Sequence, residues 1–153
     1  MTVIAPGSEV PGFTLKREDG SDFTEADLQG ATTVLVFYPF AFSPVCTDQL
    51  QIYNEALPEI TGEGAQIVGV STDPSFSQVA FREKLGIDIP QLSDFEPKGE
   101  ACRVFGAFFE PGGMSNRALV IIGPDGRVAW SHLADTPGDL PGVNLVFDGL
   151  QAV

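Results

Sequence analysis

The chain has 153 residues and a formal charge of −13, with 43% apolar residues and 12 phenylalanines. That length suffices for a single domain, residues 1–153, burying about 70% of its unfolded surface, and the apolar content excludes a disordered chain. The negative charge repels nucleic-acid phosphates and anionic membrane, so neither is an expected partner, and it reads as a source of solubility.

The elements follow in chain order. Phe13-Thr-Leu alternates and stops at Glu18-Asp-Gly-Ser, which predicts a small N-terminal hairpin whose second arm includes Phe23. Thr24 to Gly30 suits one helical turn, with Thr24 as cap and Gly30 as stop. Leu28 to Thr47 carries no charge and has membrane-span length. Its glycine, glutamine, threonines and two prolines instead point to a buried strand and a functional loop. The opening Met-Thr-Val-Ile-Ala-Pro-Gly has no basic region and no long apolar core, so no signal peptide is expected and the default location is cytoplasmic.

The apolar run Val34 to Tyr38, bounded by Gly30 and Pro39, suits a strand buried on both faces. Pro39 and Pro44 then oppose regular structure. Leu50, Tyr53, Leu57 and Ile60 follow at helical spacing, with Pro58 expected to kink or end the helix. Ala65 to Thr72 reads as a second buried strand. A second helix follows, with Asp73 as N-cap and Pro74 at its first position, and Gly86 closes it. This alternation argues for a βαβ unit with parallel strands.

Gln91-Leu-Ser-Asp reads as the approach to a third helix, which starts near Pro97 and presents Ala101, Val104 and Phe105. Phe108 to Asn116 is expected to be a glycine-rich loop. Arg117-Ala-Leu-Val-Ile-Ile is a strand, Gly123-Pro-Asp-Gly126 a tight turn, and Arg127-Val-Ala-Trp-Ser-His its antiparallel return. Asp139 to Val153 holds a terminal helix with Val146, Phe147 and Leu150 inward. The periodicities alone define an α/β protein.

Cys46 stands where the first strand has ended and a helix begins. Free N–H groups and the positive end of the helix dipole meet a side chain there, and both favour a thiolate. The competing reading is a small buried hydrophobe, the usual fate of a free cysteine. Cys46 and Cys102 form no Cys-x-x-Cys pair, so neither a disulfide framework nor a thiol–disulfide oxidoreductase is indicated. His132, the single histidine, has no companion at metal-ligand spacing and reads as structural. No metal or cofactor is implied.

Pro39-Phe-Ala-Phe-Ser43-Pro-Val-Cys46 resembles the Pro-x-x-x-Thr/Ser-x-x-Cys signature of peroxiredoxins, the cysteine-based peroxidases. The resemblance runs over nearly the whole chain and is closest to the one-cysteine branch. It implies a thioredoxin-like fold with the N-terminal hairpin extension of that family. It also implies a thiol-dependent peroxidase acting on hydrogen peroxide and organic hydroperoxides through a cysteine sulfenic acid. A redox-inert thioredoxin-like binding or chaperone module is the alternative.

The resemblance assigns roles as well. Cys46 is the nucleophile, Ser43 a hydroxyl near the peroxide, Pro39 a shield against water, and Arg117 the cation. Gln49 is an accessory candidate for orienting Arg117. Ser43 replaces the commoner threonine and Gln49 a common glutamate. Cys102 is the sole candidate for a resolving cysteine, and reaching Cys46 would require local unwinding. The implied partners are a peroxide, an external thiol reductant (a thioredoxin-like protein, mycoredoxin or low-molecular-weight thiol) and further copies of the chain. A homodimer or larger assembly is expected, through Phe40 to Pro44 and Phe108 to Met114. Phe40 and Phe42 are compatible with organic peroxides.

Overall fold

The computed structural model describes residues 2–153. The N-terminal hairpin pairs β1 (Thr14–Lys16) with β2 (Asp22–Thr24). A 3-10 turn over Glu25–Leu28 follows, with the Asp27 carboxylate accepting the Thr24 N–H at 2.8 Å. Next come β3 (Thr32–Phe37), α1 (Pro44–Glu55), α2 (Leu57–Gly62), β4 (Ala65–Ser71) and α3 (Ser75–Leu85). Then follow β5 (Gln91–Ser93), α4 (Glu100–Val104), β6 (Phe108–Phe109) and β7 (Met114–Ser115). The chain closes with β8 (Ala118–Ile122), β9 (Val128–Leu133) and α5 (Val143–Leu150). No helix among the described residues is long and apolar enough to cross a membrane.

Seven strands form one mixed sheet in the order β2-β1-β5-β4-β3-β8-β9, and β6 pairs with β7 as a separate hairpin. β3 pairs in parallel with β4 and antiparallel with β8. The α1–α2 crossover between β3 and β4 is the expected βαβ unit. The first hairpin extends the sheet through an antiparallel contact of Lys16 with Ser93. The fold is thus α/β and thioredoxin-like, with an N-terminal hairpin.

Because strand side chains alternate faces, β3 feeds two cores. Val34, Val36 and Tyr38 pack with Cys46, Leu50 and Tyr53 of α1, Ile60, Phe81 of α3 and Val146 of α5. Leu35 and Phe37 pack on the other face with Phe13, Leu15, Ala101, Cys102 and Phe105. The two cysteines therefore belong to opposite faces of the sheet.

Several local readings change. Pro44 does not prolong an irregular stretch: it is the first residue of α1, where a missing N–H costs nothing. The helix that carries Cys46 ends at Ala56 ahead of Pro58, as the proline led one to expect, and α2 restarts at Leu57. Gln91–Ser93 is a buried strand, because it fills the gap between β4 and the hairpin. Its three residues are too few to show a strand period in sequence. Phe108 to Ser115 is a tight hairpin around a 3-10 turn, not an open loop. Pro74, not Asp73, occupies the N-cap of α3. Gly86 ends α3 as expected, in the left-handed conformation at φ +65° that favours glycine.

Candidate active site

Three elements meet at Cys46. β3 ends beneath it, α1 carries it in the first turn, and Arg117 arrives from just before β8. Ser43 is the N-cap of α1, and its side chain makes no capping bond. Among the described residues nothing takes the Cys46 N–H, so this donor lies free beside the sulfur.

Arg117 is 2% exposed, and Cys46 and Gln49 have no exposed surface. The guanidinium uses each of its arms. Nη2 donates to the Cys46 sulfur at 3.2 Å, Nη1 to Gln49 Oε1 at 2.8 Å, and Nε to the Pro137 carbonyl at 2.7 Å. This fork requires arginine, because an ammonium is a point charge that cannot address three fixed acceptors in one plane. Among the described residues no carboxylate is within ion-pair reach of Arg117. A buried cation is costly unless balanced, and here the sulfur is the group placed to carry the balancing charge.

The supports of this centre come from far along the chain. Asn116 Oδ1 accepts the Arg117 N–H at 2.8 Å, and its Nδ2 donates to the Ala134 carbonyl at 3.1 Å. Tyr53, one helical turn beyond Gln49, donates its hydroxyl to the Pro141 carbonyl at 2.6 Å. The 137–141 segment is thereby held to the site at two carbonyls. Gln49 Nε2 is buried and has no hydrogen-bond partner among the described residues.

The structure brings Cys46, Gln49 and Arg117 into one hydrogen-bonded set. Pro39 is buried just beyond β3. Ser43 is half-buried, and its hydroxyl donates to the Phe40 carbonyl at 3.1 Å. Its lone pairs are free to accept, and rotation would let it donate. Phe40 and Phe42 are exposed at 43% and 51%, with the Phe42 ring centroid 5.2 Å from that of Phe81.

Other candidates lie elsewhere. Arg103 is exposed and sits over the Phe108 ring at 3.9 Å from its centroid. His132 stacks on Trp130 with centroids 6.2 Å apart. Cys102 is buried in α4, with its N–H donating to the Asp94 carboxylate at 2.8 Å. Burial first, and the Asp94 charge second, push the Cys102 thiol well above the ordinary cysteine range. The expected route from Cys102 to Cys46 by unwinding helix ends meets a physical obstacle, since the sheet stands between them.

The sequence reading missed the Pro137 and Pro141 carbonyls and the Tyr53 hydroxyl. Backbone acceptors in a late loop leave no trace in residue type. Tyr53 sits at a core spacing that hides its polar end. A groove of about 890 Å³ lined by Phe76, Phe95, Pro74 and Glu83 lies apart from Cys46.

A thioredoxin-like sheet with a buried cysteine at a helix start and an arginine aimed at its sulfur defines a thiol-dependent peroxidase of the peroxiredoxin class. Residues 6–131 match the AhpC/TSA family, and the chain belongs to that family. It is 29% identical over 148 residues to alkyl hydroperoxide reductase E of Mycobacterium tuberculosis, a match covering 96% of each chain. It is 34% identical over 128 residues to alkyl hydroperoxide reductase C of Amphibacillus xylanus, covering 80% of this chain and 68% of that protein. Among solved structures, peroxidoxin BcpB from Mycobacterium tuberculosis superposes with a TM-score of 0.81 at 27% identity, covering 97% of each chain.

Proposed function

We propose that the chain reduces hydrogen peroxide and organic hydroperoxides by a one-cysteine cycle in which Cys46 is the nucleophile. The observation that carries this reading is the 3.2 Å bond from Arg117 to the Cys46 sulfur, with no competing carboxylate on Arg117 among the described residues. The Cys46 thiolate attacks the terminal oxygen of ROOH. An S–O bond forms, the O–O bond breaks, and RO⁻ departs and takes up a proton to become ROH. Cys46 is left as a sulfenic acid.

Negative charge moves from sulfur to the departing oxygen, so fixed donors must serve both positions. Arg117 and the free Cys46 N–H are the donors on the sulfur side. Ser43 accepts from the peroxide or, after rotation away from Phe40, donates to the leaving oxygen. Pro39 keeps bulk water from the sulfur.

An external thiol then attacks the sulfenic acid, releasing water and forming a mixed disulfide that a second thiol resolves. A thioredoxin-like protein, mycoredoxin or a low-molecular-weight thiol fits this step in a cytoplasmic setting. The exposed Phe40 and Phe42 support two further readings: an apolar approach for organic peroxides, and a contact surface for a homodimer or larger assembly. The test is peroxide consumption with dithiothreitol as reductant, alongside light scattering. Wild type consumes peroxide and Cys46→Ser does not. Equal consumption by both proteins refutes the assignment, and a monomer at micromolar concentration refutes the assembly.

A further inference from the structure

Asp73 does not cap α3, although its place before Pro74 suits that use. Its carboxylate turns back toward the loop after β3. One oxygen, Oδ2, accepts both the Ala41 N–H and the Ser71 hydroxyl, each at 2.7 Å. The Ser71 hydroxyl accepts in turn from Gln78 Nε2 at 2.8 Å, and Gln78 also donates to the Leu92 carbonyl at 2.8 Å. The Asp73 carbonyl accepts the Ser93 hydroxyl at 2.5 Å. Ser71 and Gln78 have no exposed surface. Asp73 is thus fixed from β4, α3 and β5 together.

The loop it holds is residues 39–43. The Tyr38 N–H donates to the Val70 carbonyl at 3.0 Å, and α1 begins at Pro44. Between these anchors, the Ser43 N–H and hydroxyl both turn inward to the Phe40 carbonyl. Phe42 takes φ +71°, a left-handed conformation that a bulky side chain adopts only under restraint. The Thr47 N–H of α1 donates to the Ser43 carbonyl at 2.9 Å and holds the loop's far end; among the described residues, the Asp73 to Ala41 bond is the one other hydrogen bond tying residues 39–43 to the body of the protein.

We propose that Asp73 is a positioning residue for the peroxidase reaction. Through the Ala41 N–H it sets where Pro39 and Ser43 stand over the Cys46 sulfur. It does not touch the reacting atoms. The inference rests on the peroxidase reading above. Cys46 is held by α1, and Arg117 by Gln49 and Pro137, none of them through Asp73. Loss of Asp73 therefore separates two properties: charge on the sulfur stays stabilised, while placement of the peroxide is lost.

The experiment compares wild type, Asp73→Ala and Asp73→Asn. It measures stopped-flow reaction with hydrogen peroxide, iodoacetamide alkylation of Cys46, and amide hydrogen exchange over residues 39–43. Asp73→Ala is expected to react with peroxide about tenfold more slowly or worse, the scale of a misplaced reacting group. Its alkylation rate changes by less than about threefold, and its 39–43 amides exchange faster. Asp73→Asn offers an oxygen to the same two donors and recovers the peroxide rate to within about threefold of wild type.

A folded Asp73→Ala that reacts with peroxide at the wild-type rate overturns the proposal. So do peroxide and alkylation rates that fall together, the pattern of a general structural role. If Asp73→Ala does not fold, Asp73→Asn decides: its weaker acceptor must speed exchange over residues 39–43, and exchange identical to wild type overturns the idea. If wild type consumes no peroxide, the peroxidase reading fails by itself, and the exchange data still report whether Asp73 holds the loop.

Discussion

Arg117 Nη2 donates to the Cys46 sulfur across 3.2 Å, although the two residues are 71 apart in the chain. β3 and β8 make that meeting possible. They pair antiparallel, with Phe37 opposite Ala118, so the end of β3 and the start of β8 coincide at one edge of the core. Arg117 precedes Ala118, and Cys46 opens the helix that leaves β3.

Arg117→Met is expected to slow reaction with peroxide by at least about tenfold, the scale for losing one charge-stabilising donor. Alkylation of Cys46 near neutral pH should slow as well, because the same donor serves the sulfur. Arg117→Lys should recover little, since one ammonium cannot serve the sulfur, Gln49 and Pro137 together. Stopped-flow rates equal to wild type in the Met variant would show that the cation is elsewhere.

Gln49→Glu should raise the melting temperature. The change removes a buried Nε2 without a partner, a defect worth about 1–3 kcal/mol, and sets a carboxylate against Arg117. Gln49→Leu should lower both stability and peroxide rate, because Arg117 loses an acceptor. A thermal melt settles the first expectation, and a lower midpoint for Gln49→Glu would contradict it.

Cys102 should not resolve the Cys46 sulfenic acid. The thiols lie on opposite faces of the sheet, and a disulfide needs Cα atoms within about 7 Å. The Cys102 thiol is also pushed up by burial, which starves it of the thiolate that would attack. After one equivalent of peroxide with dimedone present, mass spectrometry should find the adduct on Cys46. A quantitative Cys46–Cys102 disulfide formed ahead of trapping would make this a two-cysteine enzyme.

Both tyrosines should ionise only as the fold opens. Burial pushes Tyr53 from 10.0 up to about 12 and pushes Tyr38 upward too. Tyr53 donates to the Pro141 carbonyl and Tyr38 to Gln91 Oε1, each at 2.6 Å. A folded pKa above the unfolded one means that the neutral phenol stabilises the fold. That contribution is complete below the unfolded value of 10.0 and is lost as pH rises through the folded value. For Tyr53 the interval from 10.0 to about 12 corresponds to about 3 kcal/mol. Tyrosinate absorbance and loss of helical circular dichroism should therefore rise together above pH 10.0. Early absorbance from an intact fold would refute this.

Much of the fold was legible in the chain because its signals are local. The run from Val34 to Phe37, Pro58 and Gly86 act through sterics within a few residues. The motif at Pro39, Ser43 and Cys46 lies within one loop and one helical turn, so its spacing survives in sequence. Tertiary structure alone decided the rest. Gln91–Ser93 is a strand because β4 and β1 leave a gap that only an extended segment fills. Gly69 lacks a side chain where a Cβ would lie 2.7 Å from the Gln91 amide, and that space lets Gln91 reach Tyr38. Asp73 had the position of a helix cap, but the Ala41 N–H and Ser71 hydroxyl claim its carboxylate from another part of the chain. Pro137 and Pro141 serve the site through carbonyls that every residue possesses. Hydrogen bonds between distant segments depend on where backbones meet, and residue types in order do not encode that meeting until the sheet has formed.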